Sequence, residues 1–280
     1  MNSNWKQSLK GYIDTEGIDF IGINITQDDI QVKCYRTPVC AADSKSEFAA
    51  MLDEMGCCAY VTPIERGSAY EEDIRLKRRS DANMTELFKR LEYAQPSFGA
   101  YAAEAKALAA MPVCELDGYS YASLFYLCVV GGKDAPDKYK LHYLTRMCKD
   151  PDNIAEGISF RDEEYLEYID GLKIKELSLC SAPIKRFLEL SPSNLWIVGS
   201  DYDFKHGLNK YKVYVKCNEQ GRLRLADALR AALEPHASLF GARLDELLDC
   251  IYTETQMRIY GFGVCCDTHM SLSLNLYMVV

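Results

Sequence analysis

The sequence predicts an α+β fold in which five β-hairpins alternate with helices, and two observations carry that prediction. A two-stranded unit recurs, with hairpins starting near residues 20, 57, 123, 195 and 257, each followed by helical spacing; such regularity marks an internal repeat. The second strand of each unit also alternates in character: Gln31-Val32-Lys33-Cys34-Tyr35, Asp73-Ile74-Arg75-Leu76-Lys77, Lys138-Tyr139-Lys140-Leu141-His142, Lys210-Tyr211-Lys212-Val213-Tyr214 and Ser273-Leu274-Asn275-Leu276-Tyr277. Successive strand side chains point to opposite faces. Val32, Cys34, Ile74, Leu76, Tyr139, Leu141, Tyr211, Val213, Leu274 and Leu276 therefore share one face. Lys33, Tyr35, Arg75, Lys77, Lys140, His142, Lys212, Tyr214, Asn275 and Tyr277 share the other. Helices must pack on the apolar face. Closure into a barrel, which removes edge strands, satisfies the pattern, and so does an open sheet with helices on one side. In a barrel the cations and phenols line the lumen, and their gathering suggests a polyanion site, most simply for a diphosphate.

The elements follow in order. Residues 2–14 read as a short helix. Strands Phe20–Thr26 and Ile30–Arg36 flank the polar connection Gln27-Asp28-Asp29, and Ser46–Met55 has helical spacing through Phe48, Met51, Leu52 and Met55. The second hairpin pairs Cys57–Thr62 with Ile74–Arg79 across a long loop containing Pro63 and Gly67. Asp81 caps a helix running through Leu87 and Leu91, Pro96-Ser97 breaks it, and an Ala-rich helix covers Phe98–Met111. The third hairpin, Ser123–Val130 with Lys138–Thr145, turns through Gly131-Gly132. Helices over Asp162–Leu172 and Ala182–Leu190 lead to the fourth, Leu195–Tyr202 with Lys210–Lys216. Helices Leu223–Leu233 and Leu239–Ile251 precede the last, Met257–Val264 with Ser271–Val279. No low-complexity linker divides the chain, so residues 1–280 are expected to form a single domain.

The totals exclude several classes. A formal charge of -9 argues against nucleic acid, whose phosphates select basic surfaces. It also means that basic residues on one side of the strands concentrate positive potential locally. No apolar run is long enough to span a bilayer, and the N-terminus lacks the apolar stretch of a signal peptide; the expected compartment is the cytoplasm, with no membrane partner. The 12 cysteines include adjacent pairs but no Cys-x-x-Cys, and the four histidines have no ligand spacing. Reduced, mostly buried thiols follow. Cys34, Cys128 and Cys217 fall in or beside apolar strand runs.

The ββαα repetition with Lys-x-Tyr on returning strands resembles the ABBA-type aromatic prenyltransferases, closer to their short bacterial and peptide-modifying members. Gly199-Ser200-Asp201-Tyr202 with Tyr211-Lys212-Val213-Tyr214-Val215-Lys216 looks like the family's paired strands bearing a diphosphate contact. Tyr260-Gly261-Phe262-Gly263 with Leu274-Asn275-Leu276-Tyr277 resembles the closing hairpin. The resemblance implies a PT barrel, ten antiparallel strands from five ββαα-type repeats surrounded by helices. It implies transfer of a dimethylallyl or geranyl group from its diphosphate to an aromatic acceptor, with Lys33, Arg75, Lys77, Lys140, Lys212, Tyr214, Asn275 and Tyr277 on the diphosphate and Tyr35, Tyr214 and Tyr277 shielding the cation. The acceptor is a Trp or Tyr side chain of a ribosomally made, modified peptide (RiPP) or a small aromatic metabolite of natural-product biosynthesis. A non-catalytic barrel for an anionic ligand is the alternative. Two departures stand out: His142 replaces an expected Tyr, and the first strand carries no carboxylate for the acceptor's proton, Glu16 and Asp19 being only nearby.

Breaking an allylic C–O bond leaves extra negative charge on diphosphate, which Lys and Arg stabilise through charge-assisted hydrogen bonds. Tyrosine faces stabilise the allyl cation and exclude water. Asp19, Asp201 and His142 are the candidate bases. No paired Asp-rich helical motif offers a magnesium cage, so no cofactor is required, though magnesium can assist. Phosphate-binding Gly-rich loops and a nucleophile elbow are absent from the sequence.

Overall fold

A computed structural model of the chain describes residues 4–44, 47–56, 58–66, 69–76, 89–90, 92–93, 124–131, 136–144, 169–191, 194–203, 207–217, 222–255 and 257–279. Ten strands form one closed antiparallel barrel in the order β1-β10-β9-β8-β7-β6-β5-β4-β3-β2. They are β1 (Ile18–Ile25), β2 (Ile30–Arg36), β3 (Cys58–Arg66), β4 (Ala69–Leu76), β5 (Leu124–Gly131), β6 (Pro136–Leu144), β7 (Asn194–Asp203), β8 (Gly207–Lys216), β9 (Arg258–Asp267) and β10 (Leu272–Val279). Each strand pairs with its sequence neighbours, and β1 closes on β10 through Phe20↔Val279 to Ile25↔Leu274. The open-sheet alternative is thereby excluded.

The alternation of the sequence maps onto the two sides of this wall. Ile21, Ile23 and Ile25 of β1, Val213 and Val215 of β8 and Leu274, Leu276 and Met278 of β10 are buried on the outer side. They share one apolar cluster with residues of helices α1 (Asn4–Ile13), α2 (Glu47–Glu54), α3 (Lys175–Leu190), α4 (Arg222–Leu233) and α5 (Ala237–Glu254). Leu177, Cys180, Ile184 and Phe187 recur at helical spacing on the buried stripe of α3. Phe187 meets Phe262 of β9 edge-on, with ring centroids 4.6 Å apart. Truncating either ring would cost about 3–5 kcal/mol. Helix α1 is tied to α5 by Lys6–Glu246 at 3.0 Å and Lys10–Glu254 at 2.8 Å. The hydrophobic core is thus a sleeve between barrel and helices, and the space inside the barrel is left for polar groups.

Two boundaries differ from expectation, both at prolines. Strands β3 and β4 extend through the stretch expected to be a long loop, with Pro63 inside β3 opposite Glu72. Proline cannot donate to a ladder, but the β2–β3 seam is short: only Cys34↔Glu65 and Tyr35↔Ile64 pair, and Val39 bridges Val61. Pro63 falls in the gap between them. Arg36 reinforces the seam by donating to both carboxylate oxygens of Glu65 at 3.0 Å. Helix α3 begins seven residues before the expected Ala182 and carries Pro183 in its interior. Burial of its apolar stripe outweighs the lost backbone bond. The helix expected at 98–111, and the greater parts of those at 81–91 and 162–172, lie outside the described residues. Among the described residues no helix is long and apolar enough to cross a membrane.

Candidate active site

The lumen contains a cavity of about 140 Å³ whose walls come from nine of the ten strands. Its lining includes Lys33, Lys138, Lys140, Lys210 and Lys212 against the carboxylates Glu71, Asp73 and Asp201, together with Tyr35, Tyr214, Tyr277, Asn24, Asn275 and His142. Five lysines against three carboxylates give the interior of an acidic protein a local excess of positive charge.

Register explains the grouping. On β6, Lys140 stands between Cys128 of β5 and Asp201 of β7, and His142 stands opposite Gly199. On β8, Lys212 lies between Gly199 and Cys265, and Tyr214 lies opposite Gly263 of β9. Tyr277 of β10 is flanked by Gly261 and Gly22, and Lys33 of β2 also faces Gly22.

The cations are already engaged. Glu71, which lies on β4, accepts hydrogen bonds from Lys33 Nζ at 2.9 and 3.0 Å and from Lys140 Nζ. Asp201 pairs with Lys212, and both side chains are buried. Lys138 lies 3.8 Å from Asp203. Burial alone would raise the Glu71 carboxyl, but Lys140 and Lys33 hold it well below the usual range. Burial likewise opposes ionisation of Asp201, yet Lys212, Lys140 and Lys210 bring it to about 2. Burial lowers Lys33 to about 8, with the charge of Lys140 adding to the effect. Lys140 itself is held well above its ordinary value despite burial, by Cys128, Glu71 and Asp201.

The aromatic wall is continuous. Phe20 stacks on Tyr35 with centroids 4.1 Å apart, Tyr35 meets Tyr277 at 6.0 Å, Tyr277 meets Tyr214 at 5.6 Å, and Tyr214 meets His142 at 6.0 Å. Two glycines make room for it. A Cβ on Gly22 would lie 2.9 Å from Cε2 of Tyr35, and one on Gly263 would lie 2.0 Å from Cδ1 of Tyr214. Burial keeps the phenols of Tyr35, Tyr214 and Tyr277 protonated by raising all three. Beyond the wall, Asn24 Nδ2 donates to Asn275 Oδ1 at 3.0 Å, and Asn275 Nδ2 donates to Cys265 Sγ at 2.9 Å.

Of the residues singled out in the sequence, Lys33, Tyr35, Lys140, His142, Asp201, Lys212, Tyr214, Asn275 and Tyr277 come together in the cavity. Arg75 is buried on the β4 face shared with Glu71 and Asp73, beyond the cavity lining. Lys77 lies outside the described residues. The structure does not bring Asp19 to this group. It is exposed at the start of β1, at the residue where the pairing with β2 slips by one, and it accepts a hydrogen bond from Thr37 Oγ1 at 3.5 Å. As bases, His142 and Asp201 are weak: burial and Lys212 bring the imidazole to about 3, and Asp201 is committed to Lys212. Glu71 and Asp73 escaped the sequence reading, although Glu71-x-Asp73-x-Arg75 alternates in step with the expected lumenal Arg75. Cys128, taken for an apolar strand residue, sits opposite Asp73 and Lys140, with Sγ 3.4 Å from Glu71 Oε1. Eight of the nine described cysteines are buried and all nine are free. Among the described residues no cluster of three potential ligands could hold a metal ion.

A closed ten-stranded antiparallel barrel with an outer layer of helices is the architecture of the PT-barrel aromatic prenyltransferases. The solved structure of NotF prenyltransferase matches with a TM-score of 0.58 and 8% sequence identity, covering 93% of this chain and 80% of that one. NotF in complex with brevianamide F and DMSPP gives 0.55 and 10%, covering 93% and 79%. AnaPT from Neosartorya fischeri gives 0.57 and 10%, covering 95% and 79%. At these identities the likeness establishes the fold. No protein-family model matches the sequence, and no curated protein does.

Proposed function

We propose that this protein transfers an allylic prenyl group, dimethylallyl or geranyl, from its diphosphate to an aromatic acceptor. The observation that carries the reading is the adjacency of lysines and steeply tilted, mutually contacting tyrosines in one cavity. Lys33, Lys140 and Lys212 receive the diphosphate, with Lys138 and Lys210 beside them, and Asn275 and Tyr214 add hydrogen-bond donors. The allylic C–O bond breaks with its electron pair leaving on the diphosphate, where the ammonium groups stabilise the new charge. The allyl cation lies against Tyr35, Tyr214 and Tyr277, whose ring faces are attractive to it and whose bulk excludes water. An aromatic π-bond then attacks, and the ring loses a proton. NotF holding brevianamide F and DMSPP in one crystal complex supports a donor and an acceptor meeting in one such lumen.

The finer reading is an acceptor that is a Trp or Tyr side chain of a RiPP peptide, with a small aromatic metabolite as the alternative. The assay offers dimethylallyl or geranyl diphosphate with free tryptophan, tyrosine and hydroxynaphthalenes, and with linear and cyclic peptides containing Trp or Tyr. Prenylated peptide supports the finer reading, and product from free aromatics alone overturns it. Diphosphate binding without turnover of any acceptor would make the barrel a binding protein.

A further inference from the structure

Resting on the prenyl-transfer reading, we infer that Asp73 of β4 is the base that removes the ring proton from the prenylated acceptor. Three lumenal carboxylates line the cavity, and two are committed: Glu71 to Lys33 and Lys140, Asp201 to Lys212. Among the described residues no cation pairs with Asp73. Its Oδ1 is shielded from solvent and accepts no hydrogen bond. An orphaned buried carboxylate oxygen costs stability unless something else in the functional state donates to it. An acceptor C–H made acidic by attack on the allyl cation is such a donor.

The surroundings suit the role. On its own strand Asp73 has Glu71 and Arg75 on the same face. Its register partners are Thr62 on β3 and Cys128 on β5, whose thiol donates to the neighbouring Glu71 Oε1 at 3.4 Å. Lys140 and Lys33, both bonded to Glu71 two residues away, line the same cavity, as do Tyr35 and Tyr277 of the aromatic wall. Burial raises the carboxyl above its ordinary value, with Glu71 adding to the rise, while Cys128, Lys140 and Lys33 oppose it. A carboxylate so placed binds a proton more tightly than Glu71 or Asp201, as a base requires.

The step balances. The allylic C–O pair leaves with diphosphate, the acceptor's π-pair forms the new C–C bond, the C–H pair returns to the ring, and the proton goes to the Asp73 carboxylate. Release to solvent after product departure restores the carboxylate.

The test compares wild type with Asp73→Asn and Asp73→Glu, using dimethylallyl diphosphate labelled with ¹⁸O at its bridging oxygen. In Asp73→Asn, scrambling of the label into non-bridging positions is expected to persist, since C–O cleavage needs only lysines and tyrosines. Prenylated product is expected to fall about 10²-fold or more. A ring-deuterated acceptor then gives a primary isotope effect larger than in wild type, because deprotonation has become slow. Asp73→Glu restores part of the transfer with a displaced acidic limb in its pH profile. Product formation by Asp73→Asn within about threefold of wild type overturns Asp73 alone. So does equal loss of scrambling and transfer in a folded variant. A wild-type protein that neither scrambles nor transfers overturns the prenyl-transfer reading itself.

Discussion

Gly263→Ala tests whether the position of the Tyr214 ring matters to the chemistry. The new Cβ would lie 2.0 Å from Cδ1, 2.4 Å from Cε1 and 2.8 Å from Cγ of Tyr214. Reaching an ordinary contact of 3.4 Å from 2.0 Å requires the ring to retreat by about 1.4 Å. Spinning the ring cannot supply this, because Cγ lies on the rotation axis and is itself too close. Either Tyr214 changes its first rotamer or β8 and β9 separate. Overpacking of this kind costs about 1–3 kcal/mol. The displaced ring also leaves Tyr277 and His142, its neighbours in the aromatic wall. A misplacement of about 1 Å near a reacting centre costs roughly 10²-fold in rate. The assay measures kcat/KM for prenylation, and the share of dimethylallyl alcohol formed when water captures the cation. Prenylation should fall and the alcohol share should rise, with a smaller loss of diphosphate affinity as the Tyr214 hydroxyl moves with its ring. In Gly263→Ala/Tyr214→Ala the melting temperature should exceed that expected from adding the single effects, because the clash is gone. A Gly263→Ala protein with unchanged kcat/KM and unchanged alcohol share would refute the shielding role of Tyr214.

Lys212→Ala leaves Asp201 buried without its cation and is expected to cost about 3–5 kcal/mol in a urea melt, with Asp201→Asn in the same chain recovering much of it; a loss below about 1 kcal/mol would show the pair to be solvated. Lys33 falls from 10.5 to about 8, so its charge is lost as pH rises through 8. Inorganic diphosphate should therefore bind more weakly above that pH, with proton uptake seen by calorimetry in buffers of different ionisation heat, and Lys33→Arg should abolish the limb. For stability the sign is opposite: the charged form is what burial penalises, so the penalty is full below pH 8 and gone above 10.5. Because lysines supply the leaving-group charge, turnover should persist in excess EDTA; a collapse that magnesium restores would place a metal in the reaction.

The five returning strands were legible because alternation is a local signal that each strand repeats, and the partition of Lys33/Tyr35 from Val32/Cys34, or Lys212/Tyr214 from Tyr211/Val213, depends on nothing distant. Barrel closure was not legible from alternation itself, since an open sheet has the same period; the resemblance supplied it, and the β1–β10 pairing realises it. Pro63 was placed in a loop and the helix was begun only at Ala182, beside Pro183, because proline's local cost is visible in sequence, while the ladder gap and the buried stripe that accommodate them are tertiary. The carboxylates were missed for a related reason. Glu71-Glu72-Asp73 looks like an acidic loop, and only cross-strand register shows Glu71 clamping two lysines or Asp73 facing Cys128. Asp19, chosen for nearness to the first strand, falls at an irregularity in the β1–β2 pairing that leaves it exposed, and such an irregularity is set by the cross-strand register, which the sequence does not show.

Strand parity divides the molecule's tolerance to change. Along each strand the odd and even positions answer to different demands, one set to the greasy sleeve under the helices and the other to the reactants. A substitution that alters the lumen's chemistry leaves the sleeve's packing alone, so donor pocket and acceptor preference can drift while the scaffold stands. The exceptions are the buried pairs Glu71–Lys140 and Asp201–Lys212, which serve both demands at once. In a saturation survey of the strands, losses of abundance and losses of turnover should each recur with a period of two, half a period apart, and coincide at those pairs and at the crowded glycines Gly22 and Gly263.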